Sequence, residues 1–366
     1  MVRVFLSAAE ASGDQHGAHL LRELKTLTAV DARGVGGVRL VEAGLRPFAR
    51  AEELSVMGLF EVVRHLPRLW RLARNVRRKA LDFRPDVAVL IDSPDFHLPL
   101  ARPLAKAGIP VVVYVSPQLW AWRPGRVKVM AKYVRKVLCI LPFEVAFYRE
   151  HGVDACFVGH PLVDELAGVA DELPRSREHC LALLPGSRRH EVEELLPVMA
   201  EAFQILRAGD SALRAKVIVA PGMSAEELTR LAGKTEGVCF VEANRYRELA
   251  SCAAALVASG TATLVCALLD VPMAVTYRLH PLSYAVAKRL VKVPHVGLVN
   301  LVAGERVAPE LVQNALSAST LAETARHLLA EEGEIQRRKL SLVREKLGGP
   351  GASRRAAEEV LKVVAP

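Results

Sequence analysis

The sequence lacks the cysteine patterns of a metal centre or a disulfide framework. Its six cysteines are scattered over 366 residues, with no Cys-x-x-Cys pair and no spacing that would suit zinc. Most lie within apolar runs, where a thiol packs as a small hydrophobic group. We therefore predict reduced cysteines and a cytoplasmic protein.

The sequence also predicts no signal peptide and no membrane-spanning helix. Met1–Leu6 leads at once to Glu10 and Asp14, which leaves no apolar stretch of signal-peptide length. The segment Leu249–Leu269 contains no charged residue, but Ser259-Gly260-Thr261 interrupts it. A spanning helix has no need of that interruption, so the pattern predicts a strand, a turn and a helix.

No closely spaced Asp-x-Asp pair lies between predicted strands, the arrangement expected where a metal ion holds a sugar nucleotide. His16 and His19 are one helical turn apart, near Asp14, but have no third ligand at metal spacing. We interpret both histidines as surface or cleft residues. The sequence predicts no metal site and no cofactor.

The net positive charge is confined to one half of the chain. Residues 1–160 carry 24 Lys and Arg against 15 Asp and Glu, whereas residues 161–366 carry 25 of each kind. The net charge of +9 therefore belongs to the first half. Such a surface attracts anionic partners, such as a phospholipid membrane or a phosphorylated substrate. Nucleic acid is not expected, because the basic face has no reading helix or aromatic sheet motif.

Short β-branched runs alternate with amphipathic helical patterns along the whole chain, which predicts an α/β fold with parallel sheets covered on both faces. A boundary falls at Gly159-His160-Pro161, before a polar stretch that ends near His179. We predict two domains, 1–160 and 161–348, joined so that a cleft lies between them. A glycine-rich break then isolates a last helix, Ala352–Val364, in a segment 349–366 that packs back on the first domain or on a partner.

The predicted strands are Val2–Leu6, Val87–Ile91, Val111–Val115, Lys136–Ile140, Leu181–Leu184, Val217–Ala220, Val238–Val241, Ala254–Val257 and Met273–Val275. The predicted helices between them include His16–Leu27, Leu98–Ala107, Phe143–Glu150, Val192–Leu206 and Tyr246–Cys252.

Two small-residue turns follow predicted strands in the second half. In Pro185-Gly186-Ser187-Arg188, Gly186 permits a close backbone approach, Ser187 can donate to an oxygen and Arg188 can bind a phosphate. Ser259-Gly260-Thr261-Ala262-Thr263 opens a helix with free amides and hydroxyls, which can form an anion site without a metal. The first turn alone is equally compatible with an ordinary strand–helix connection, and for the second turn alone a plain helix cap is the commoner explanation. Together, on one parallel sheet, they favour a pyrophosphate site.

Two polar turns follow strands in the first half. Asp92-Ser93-Pro94-Asp95 comes directly after Val87–Ile91, where a carboxylate can face the cleft and serve as a general base. An Asx-turn or helix cap explains the same residues. Glu10-Ala11-Ser12-Gly13-Asp14 opens the first helix after Val2–Leu6 in the same way.

The segment Leu59–Lys79 has the pattern of a basic amphipathic helix, which Pro67 is expected to break or kink. Such a helix with a tryptophan suits a membrane surface, and a core-packed helix with a solvated arginine face is the alternative. The one-sided charge favours the membrane. The arginines are Arg64, Arg68, Arg71, Arg74 and Arg78, opposite Leu59, Val63, Leu66, Trp70 and Ala73.

Nine motifs of the chain resemble those of the lipid-A-disaccharide synthase family, in the same order, over residues 9–313. They are Ala9–Asp14, Val56–Gly58, Ile91–Phe96, Tyr114–Arg123, Leu141–Glu144, Val158–Pro161, Leu183–Arg188, Ser259–Thr263 and Asn300–Gly304.

The resemblance implies a GT-B glycosyltransferase, with two Rossmann-like domains facing across a cleft. The family moves 2,3-diacylglucosamine from UDP onto 2,3-diacylglucosamine 1-phosphate, with inversion, and makes the β-1′,6-linked disaccharide of lipid A. By position, Asp92 would be the general base. The UDP diphosphate would be held by Gly186, Ser187, Arg188, Ser259, Gly260 and Thr261, with Asn300 also in the active site.

The family also implies a peripheral protein on the cytoplasmic membrane face, with the acceptor bound by the first domain. The residues expected on that side of the cleft are Glu10, Ser12, Gly13, Asp14, Trp120 and Trp122. The sequence allows a homodimer and does not fix the oligomeric state.

Three positions depart from the family pattern: Val38 stands where proline is common, Leu40 stands where methionine is common, and the third bears on nucleotide binding. In Gly-Thr-Ala-x-x-Glu, the glutamate binds the ribose hydroxyls in related GT-B enzymes, and here the position is Val265. Valine cannot accept those hydrogen bonds. This departure leaves open a related transferase with another donor or acceptor, and a non-catalytic lipid- or nucleotide-binding relative.

Overall fold

A computed structural model describes residues 1–54, 59–122, 124–174, 176–280, 284 and 293–364, without the side chains of 59–69, 122 and 124. The chain folds into two compact units. The first comprises Met1–Pro161 together with Gly348–Pro366, and the second comprises Leu162–Leu347.

The first unit is built on a seven-stranded sheet in which each described pair of neighbouring strands is parallel. The strand order is β3-β2-β1-β4-β5-β6-β7. Central strands are apolar on both faces, because helices cover both sides of a parallel sheet. The strands are β1 Val2–Ala8, β2 Val30–Gly36, β3 Arg46–Arg50, β4 Val87–Ile91, β5 Val111–Tyr114, β6 Lys136–Cys139 and β7 Ala155–Phe157.

Alternate residues of the central strands enter two separate cores. Phe5 and Leu90 belong to one core, and Val4 and Val89 belong to the other, as the two-residue period of a strand requires. The helices of this unit are α1 Ala11–Leu27, α2 Val38–Glu42, α3 Leu59–Phe83, α4 Pro94–Lys106, α5 Leu119–Trp122, α6 Val127–Tyr133 and α7 Glu144–Glu150.

The final helix, Ala352–Val364, belongs to the first unit and packs against α1. Its buried Ala356, Ala357 and Val360 join the core around Val4 and Leu20. At its flank, Lys136 Nζ donates to Glu359 Oε2 at 2.7 Å.

The second unit has a six-stranded parallel sheet in the order β10-β9-β8-β11-β12-β13. Its core lies between the sheet and two long helices, α9 and α14. The strands are β8 Glu178–Leu184, β9 Arg214–Ile218, β10 Val238–Val241, β11 Cys252–Ala258, β12 Met273–Tyr277 and β13 Glu310–Val312. The helices are α8 Pro161–Ala170, α9 Arg189–Gly209, α10 Ala225–Ala232, α11 Arg245–Ser251, α12 Thr261–Leu268, α13 Leu298–Ala303, α14 Ala318–Leu329 and α15 Glu331–Lys346.

The structure confirms the α/β fold and all nine predicted strands, with ends shifted by a few residues. It also confirms that Leu249–Leu269 contains a strand, a turn and a helix. Among the described residues, no helix is both long enough and apolar enough to cross a membrane.

Helix α3 differs from its prediction in two ways. It runs as one helix from Leu59 to Phe83, which excludes the predicted division at Pro67 but not the predicted kink. Trp70 is 64% exposed, on the face that carries Arg71 and Arg74 rather than opposite the arginines. Val76 and Ala80 form the buried stripe instead. The side chains of Arg64, Arg68, Leu59, Val63 and Leu66, and the motif Val56–Gly58, lie outside the described part.

Candidate functional site

The turn after β4 lies at the point where the strand order of the first sheet reverses. From β1 the chain continues to β2 on one side, whereas β4 continues to β5 on the other. Ala8 and Ile91 are paired residues at the carboxyl ends of these two strands. Ligands of open parallel sheets bind at such a reversal. Glu10 and Asp92, which follow the two strands, therefore share one edge.

Asp92 and Ser93 both have left-handed backbone conformations, with φ of 52° and 43°. Aspartate tolerates this region better than most residues, but two in succession need support from the surrounding structure. The Asp92 N–H donates to the Tyr114 carbonyl of β5 at 3.2 Å. Ser93 then begins α4, since its carbonyl accepts from the amides of Phe96 and His97. The turn projects the Asp92 side chain from the strand end.

The Asp92 carboxyl is held in a partly desolvated, negatively charged setting. Burial raises its pKa, the charge of Glu10 raises it further, and the Ser93 amide opposes both effects. Glu10 itself is exposed, and its Oε1 accepts from Ser93 Oγ at 3.1 Å. A carboxylate with a raised pKa is a stronger base than an ordinary aspartate.

The structure gives Asp14 a different position from that of Glu10. Asp14 is buried in the first turns of α1, and its two oxygens accept from the backbone amides of Gly37, Arg39 and Leu40 at 2.7 to 3.1 Å. Those amides begin α2, so the carboxylate acts as an N-terminal cap from a distant part of the chain. Of its neighbours, Ser12 is exposed and Gly13 is buried against Ala8 and Ile91.

Trp120 is fixed by a buried carboxylate. Its Nε1 donates to Glu144 Oε1 at 3.0 Å, and its ring packs edge-on against Phe143 with 4.9 Å between centroids. Burial raises the pKa of Glu144 to about 7, although Trp120 Nε1 and the Leu141 amide donate to the carboxylate. The side chain of Trp122 lies outside the described part.

The two predicted turns of the second unit lie side by side. They follow β8 and β11, which are neighbours in the sheet at the point where its strand order reverses. The carbon atom that a side chain would place on Gly186 lies 3.5 Å from Ala258, the residue before Ser259. The structure thus brings Pro185–Arg188 and Ser259–Thr263 to one edge of the sheet.

In the first of these turns, the glycine is required by the backbone. Gly186 has φ of 111°, a conformation that other residues avoid. Ser187 and Arg188 are exposed at the entrance to α9. Arg188 Nη1 donates to Glu191 Oε1 at 2.8 Å, and the Arg188 side chain is 74% exposed whereas that of Glu191 is 17% exposed.

In the second turn, only part of the polar surface faces solvent. Ser259 Oγ donates to the Val296 carbonyl at 2.8 Å, whereas Thr261 is exposed at the start of α12. Gly260 has φ of 140° and no atom within 4 Å of the position a side chain would occupy. Val265 is buried in α12.

Asn300 is fully buried, and all of its hydrogen-bonding capacity is used within the protein. Its Nδ2 donates to the Ala308 carbonyl and to Glu310 Oε1, and its Oδ1 accepts from the amides of Val307 and Ala308, all at 2.8 to 2.9 Å. Glu310 also accepts from the amides of Val296 and Gly297. Asn300 therefore stabilises the loop whose Val296 carbonyl accepts the hydrogen bond from Ser259. No donor or acceptor of the Asn300 side chain is left for a ligand.

Sequence reasoning did not find Glu310, Glu144 or His97. Glu144 and His97 are buried and Glu310 is half-buried, each by contacts with residues distant in sequence or with its own turn. An ionisable residue beside an apolar run, as in Leu141-Pro142-Phe143-Glu144, is the one local signal. Within the described residues, no group of three or more His, Cys, Asp or Glu side chains is placed to hold a metal ion.

Known proteins share this fold at low identity. A Staphylococcus aureus MnaA–UDP complex matches all of this chain and 98% of its own, with a TM-score of 0.67 and 12% identity. The calicheamicin glycosyltransferase CalG4 matches over both whole chains, with a TM-score of 0.63 and 18% identity. A UDP-GlcNAc 2-epimerase from Neisseria meningitidis also matches, over 98% of this chain and 99% of its own, with a TM-score of 0.63 and 13% identity. Together these likenesses establish a GT-B-like fold.

Sequence comparison is more specific than the fold. The lipid-A-disaccharide synthase of Anaeromyxobacter sp. (strain K) is 46% identical over 99% of this chain and 97% of its own length. That of Myxococcus xanthus (strain DK1622) is 40% identical over 100% and 98%. The family model described as lipid-A-disaccharide synthetase matches residues 4–363. This chain belongs to the lipid-A-disaccharide synthetase family, as the order of its motifs predicts.

Proposed function

We propose that this protein is a glycosyltransferase that makes the lipid A disaccharide from UDP-2,3-diacylglucosamine and 2,3-diacylglucosamine 1-phosphate. The observation that carries the proposal is the full-length match to lipid-A-disaccharide synthases at 40–46% identity. The sites of the two units supply a consistent chemistry, one with a base and the other with an anion-binding edge.

Asp92 is proposed to act as the general base. It takes the proton from the 6-hydroxyl of the acceptor as that oxygen attacks the anomeric carbon of the donor. The bond between the anomeric carbon and the UDP oxygen breaks on the opposite face, so the configuration inverts. The raised pKa of Asp92 suits this role, because it brings the base closer to the pH at which it works.

The edge formed by the two turns of the second unit is proposed to bind the UDP diphosphate. Thr261 and the free amides of α12 face the charge that develops on the leaving group, and Arg188 neutralises it. Gly186 lets the phosphate approach the backbone. Asn300 takes part by holding the loop behind Ser259 rather than by contact with the nucleotide.

A transfer assay with the two diacylated substrates tests the proposal. Wild-type protein should release UDP and form the disaccharide. Asp92→Asn keeps the size of the side chain and tolerates the left-handed backbone, but it cannot take the proton. Its kcat should fall by about 100-fold or more, with unchanged UDP affinity. Absence of disaccharide from the wild type would contradict the assignment, and turnover of UDP-N-acetylglucosamine instead would indicate another donor.

Helix α3 is proposed to contact an anionic membrane on the cytoplasmic side, where the acylated acceptor resides. Its exposed face carries Trp70, Arg71, Arg74, Arg77 and Arg78, and Arg74 lies over the Trp70 ring at 5.5 Å. A tryptophan among arginines suits the interface between lipid headgroups and water.

Vesicle binding tests this membrane surface. Replacing Arg71, Arg74 and Arg78 by Gln should weaken binding to phosphatidylglycerol vesicles by about 100-fold in low salt, since each basic residue contributes about 1 kcal/mol near such a surface. The matched control replaces Arg326, Arg338 and Lys339, which are exposed in the second unit, by Gln. Equal loss in both triple variants would show that net charge alone is responsible.

A further inference from the structure

The backbone of Asp92 is held on its carbonyl side by a buried histidine from the next helix. His97 lies in the first turns of α4, and its Nδ1 is 2.7 Å from the Asp92 carbonyl oxygen. Its Nε2 is 2.9 Å from Ser7 Oγ, on β1. Both side chains are buried, with exposed fractions of 2% for His97 and 0% for Ser7.

The partners fix the tautomer of this imidazole. Burial lowers the pKa of His97 to about 4, so the ring is neutral at pH 7, with one donor and one acceptor nitrogen. A carbonyl oxygen can only accept, so Nδ1 carries the hydrogen and donates to Asp92. Nε2 is then the acceptor and receives the hydrogen of the Ser7 hydroxyl.

This arrangement supports a conformation that is otherwise unfavourable. Asp92 and Ser93 both have positive φ values, and such residues persist only where neighbouring groups hold them. The Asp92 amide is held by the Tyr114 carbonyl, and His97 holds the other end of the residue. Without the histidine, the Asp92 carbonyl would lose its hydrogen bond to Nδ1, and the turn could relax to a more common conformation.

We propose that Ser7 and His97 form a positioning pair that sets the direction in which Asp92 presents its carboxylate to the acceptor. The pair does not touch the substrate, and it acts through the backbone of the turn. This inference rests on the proposed role of Asp92 as the base. General-base catalysis is sensitive to such a pair, because a shift of about 1 Å in a reacting group can lower the rate by about 100-fold.

The test compares three changes at His97 and Ser7 in the full-length protein. His97→Leu removes the donor and should lower kcat by about 100-fold, with the UDP affinity within about twofold. His97→Asn places an amide N–H near the position of Nδ1 and should keep kcat within about threefold. Ser7→Ala leaves Nε2 without a donor, so the ring can adopt the other tautomer, and kcat should fall by about 10-fold.

Two further readouts separate positioning from general damage. Ser7→Ala should have no added effect on kcat in the His97→Asn background, where Nε2 no longer exists. Spectra of ¹⁵N-histidine-labelled protein, in which the His97 signals are assigned by their absence from His97→Asn, should show a neutral imidazole that is protonated at Nδ1 and does not titrate above pH 5. This signal should be lost in Ser7→Ala. The matched control is His151→Leu, because exposed His151 has its Nδ1 2.8 Å from the Phe147 carbonyl oxygen in the same unit.

The inference is wrong if His97→Leu retains wild-type kcat while Asp92→Asn does not. It is also wrong if His97→Asn, folded and binding UDP normally, loses as much activity as His97→Leu. An active Asp92→Asn variant would instead refute the proposed base, which distinguishes failure of the function from failure of the pair.

Discussion

At the scale of single residues, the site of the first unit depends on carboxyl groups in contrasting surroundings. Asp92 is half-buried on a strained turn, Glu10 is exposed beside it, and Asp14 is buried and bound by three amides. Only Asp92 combines partial desolvation with a neighbouring negative charge. The surroundings therefore distinguish Asp92, the candidate base, from Asp14, which caps a helix, although both residues follow strands in similar polar turns.

We predict that Glu10→Gln lowers the pKa of Asp92, because the neighbouring charge that raises it is removed. The base then stays ionised to lower pH, so the acidic limb of the kcat/KM profile should move to lower pH. Above the limb, kcat should fall by less than about threefold, since a weaker base is a slightly poorer catalyst. The measurement is a pH–rate profile with exposed Glu150→Gln as the control. A limb that does not move, or moves upward, contradicts the proposed charge coupling.

A second residue-scale prediction concerns Glu144. Its pKa is about 7 in the folded protein, against 4.5 when unperturbed, so the folded state binds more protons between these two values. Its contribution to stability should therefore fall as pH rises from about 4.5 through 7. Urea unfolding at pH 5 and pH 8 should show Glu144→Gln gaining stability relative to the wild type at pH 8. A stability difference that is independent of pH would show that the buried carboxyl does not titrate in this range.

At the scale of elements, the proposed anion-binding edge of the second unit depends on a loop behind it. Glu310 at the start of β13 accepts from the amides of Val296 and Gly297, and the Val296 carbonyl accepts from Ser259. Thr263 of α12 also accepts from the Val299 amide at 3.3 Å. The segment between β12 and β13 is thus tied to the turn that precedes α12.

We predict that Asn300→Ala lowers the stability of the second unit by about 2–4 kcal/mol, because it leaves two buried amides and a carboxylate oxygen short of partners. UDP affinity should fall along with stability, since the loop that holds Ser259 loosens. The measurements are urea unfolding and UDP titration, with exposed Asn314→Ala as the control. Weaker UDP binding at unchanged stability would instead indicate direct contact between Asn300 and the nucleotide.

The sequence predicts those strands and turns whose pattern lies in residues that are adjacent along the chain. The strands β4 and β11 are recognisable in the sequence as uninterrupted apolar runs. In contrast, β2 and β3 contain charged residues or proline, and β7 and β13 are only three residues long. These four strands flank the apolar centre of each sheet, where an apolar run is not required. The turns at Asp92 and Gly186 were predictable for the same local reason, since each follows a predicted strand.

The contacts of a side chain are harder to predict from the sequence than the helix or strand that carries it. His97 and Ser7 are 90 residues apart, and Asp14 reaches amides more than 20 residues away. Trp70 has an apolar ring, yet it lies on the basic face of α3 beside Arg74. These contacts depend on how the elements pack, which a pattern along the chain does not contain.

At the scale of the whole molecule, the chain leaves the first unit near Pro161, builds the second, and returns at Gly348. The returning helix is part of the first unit's core through Ala356, Ala357 and Val360. Arg355 secures the return, because its guanidinium donates to the carbonyls of Val158, Gly349 and Pro350. The proposed base and the proposed anion-binding edge thus belong to different units, and among the described residues the core clusters of these units have no member in common.

We predict that a chain ending at Gly351 destabilises the first unit alone. The lost burial of three apolar side chains costs about 3–5 kcal/mol, and Lys136 loses its pairing with Glu359. Hydrogen exchange should therefore accelerate in β1 and β4, while β8 and β11 keep wild-type rates and UDP still protects residues 185–188 and 259–263. Full-length Val360→Asp should reproduce the effect, since it buries an unpaired charge, and exposed Lys362→Gln should not. Accelerated exchange in β8 and β11 would mean that the stability of the second unit also depends on the returning helix.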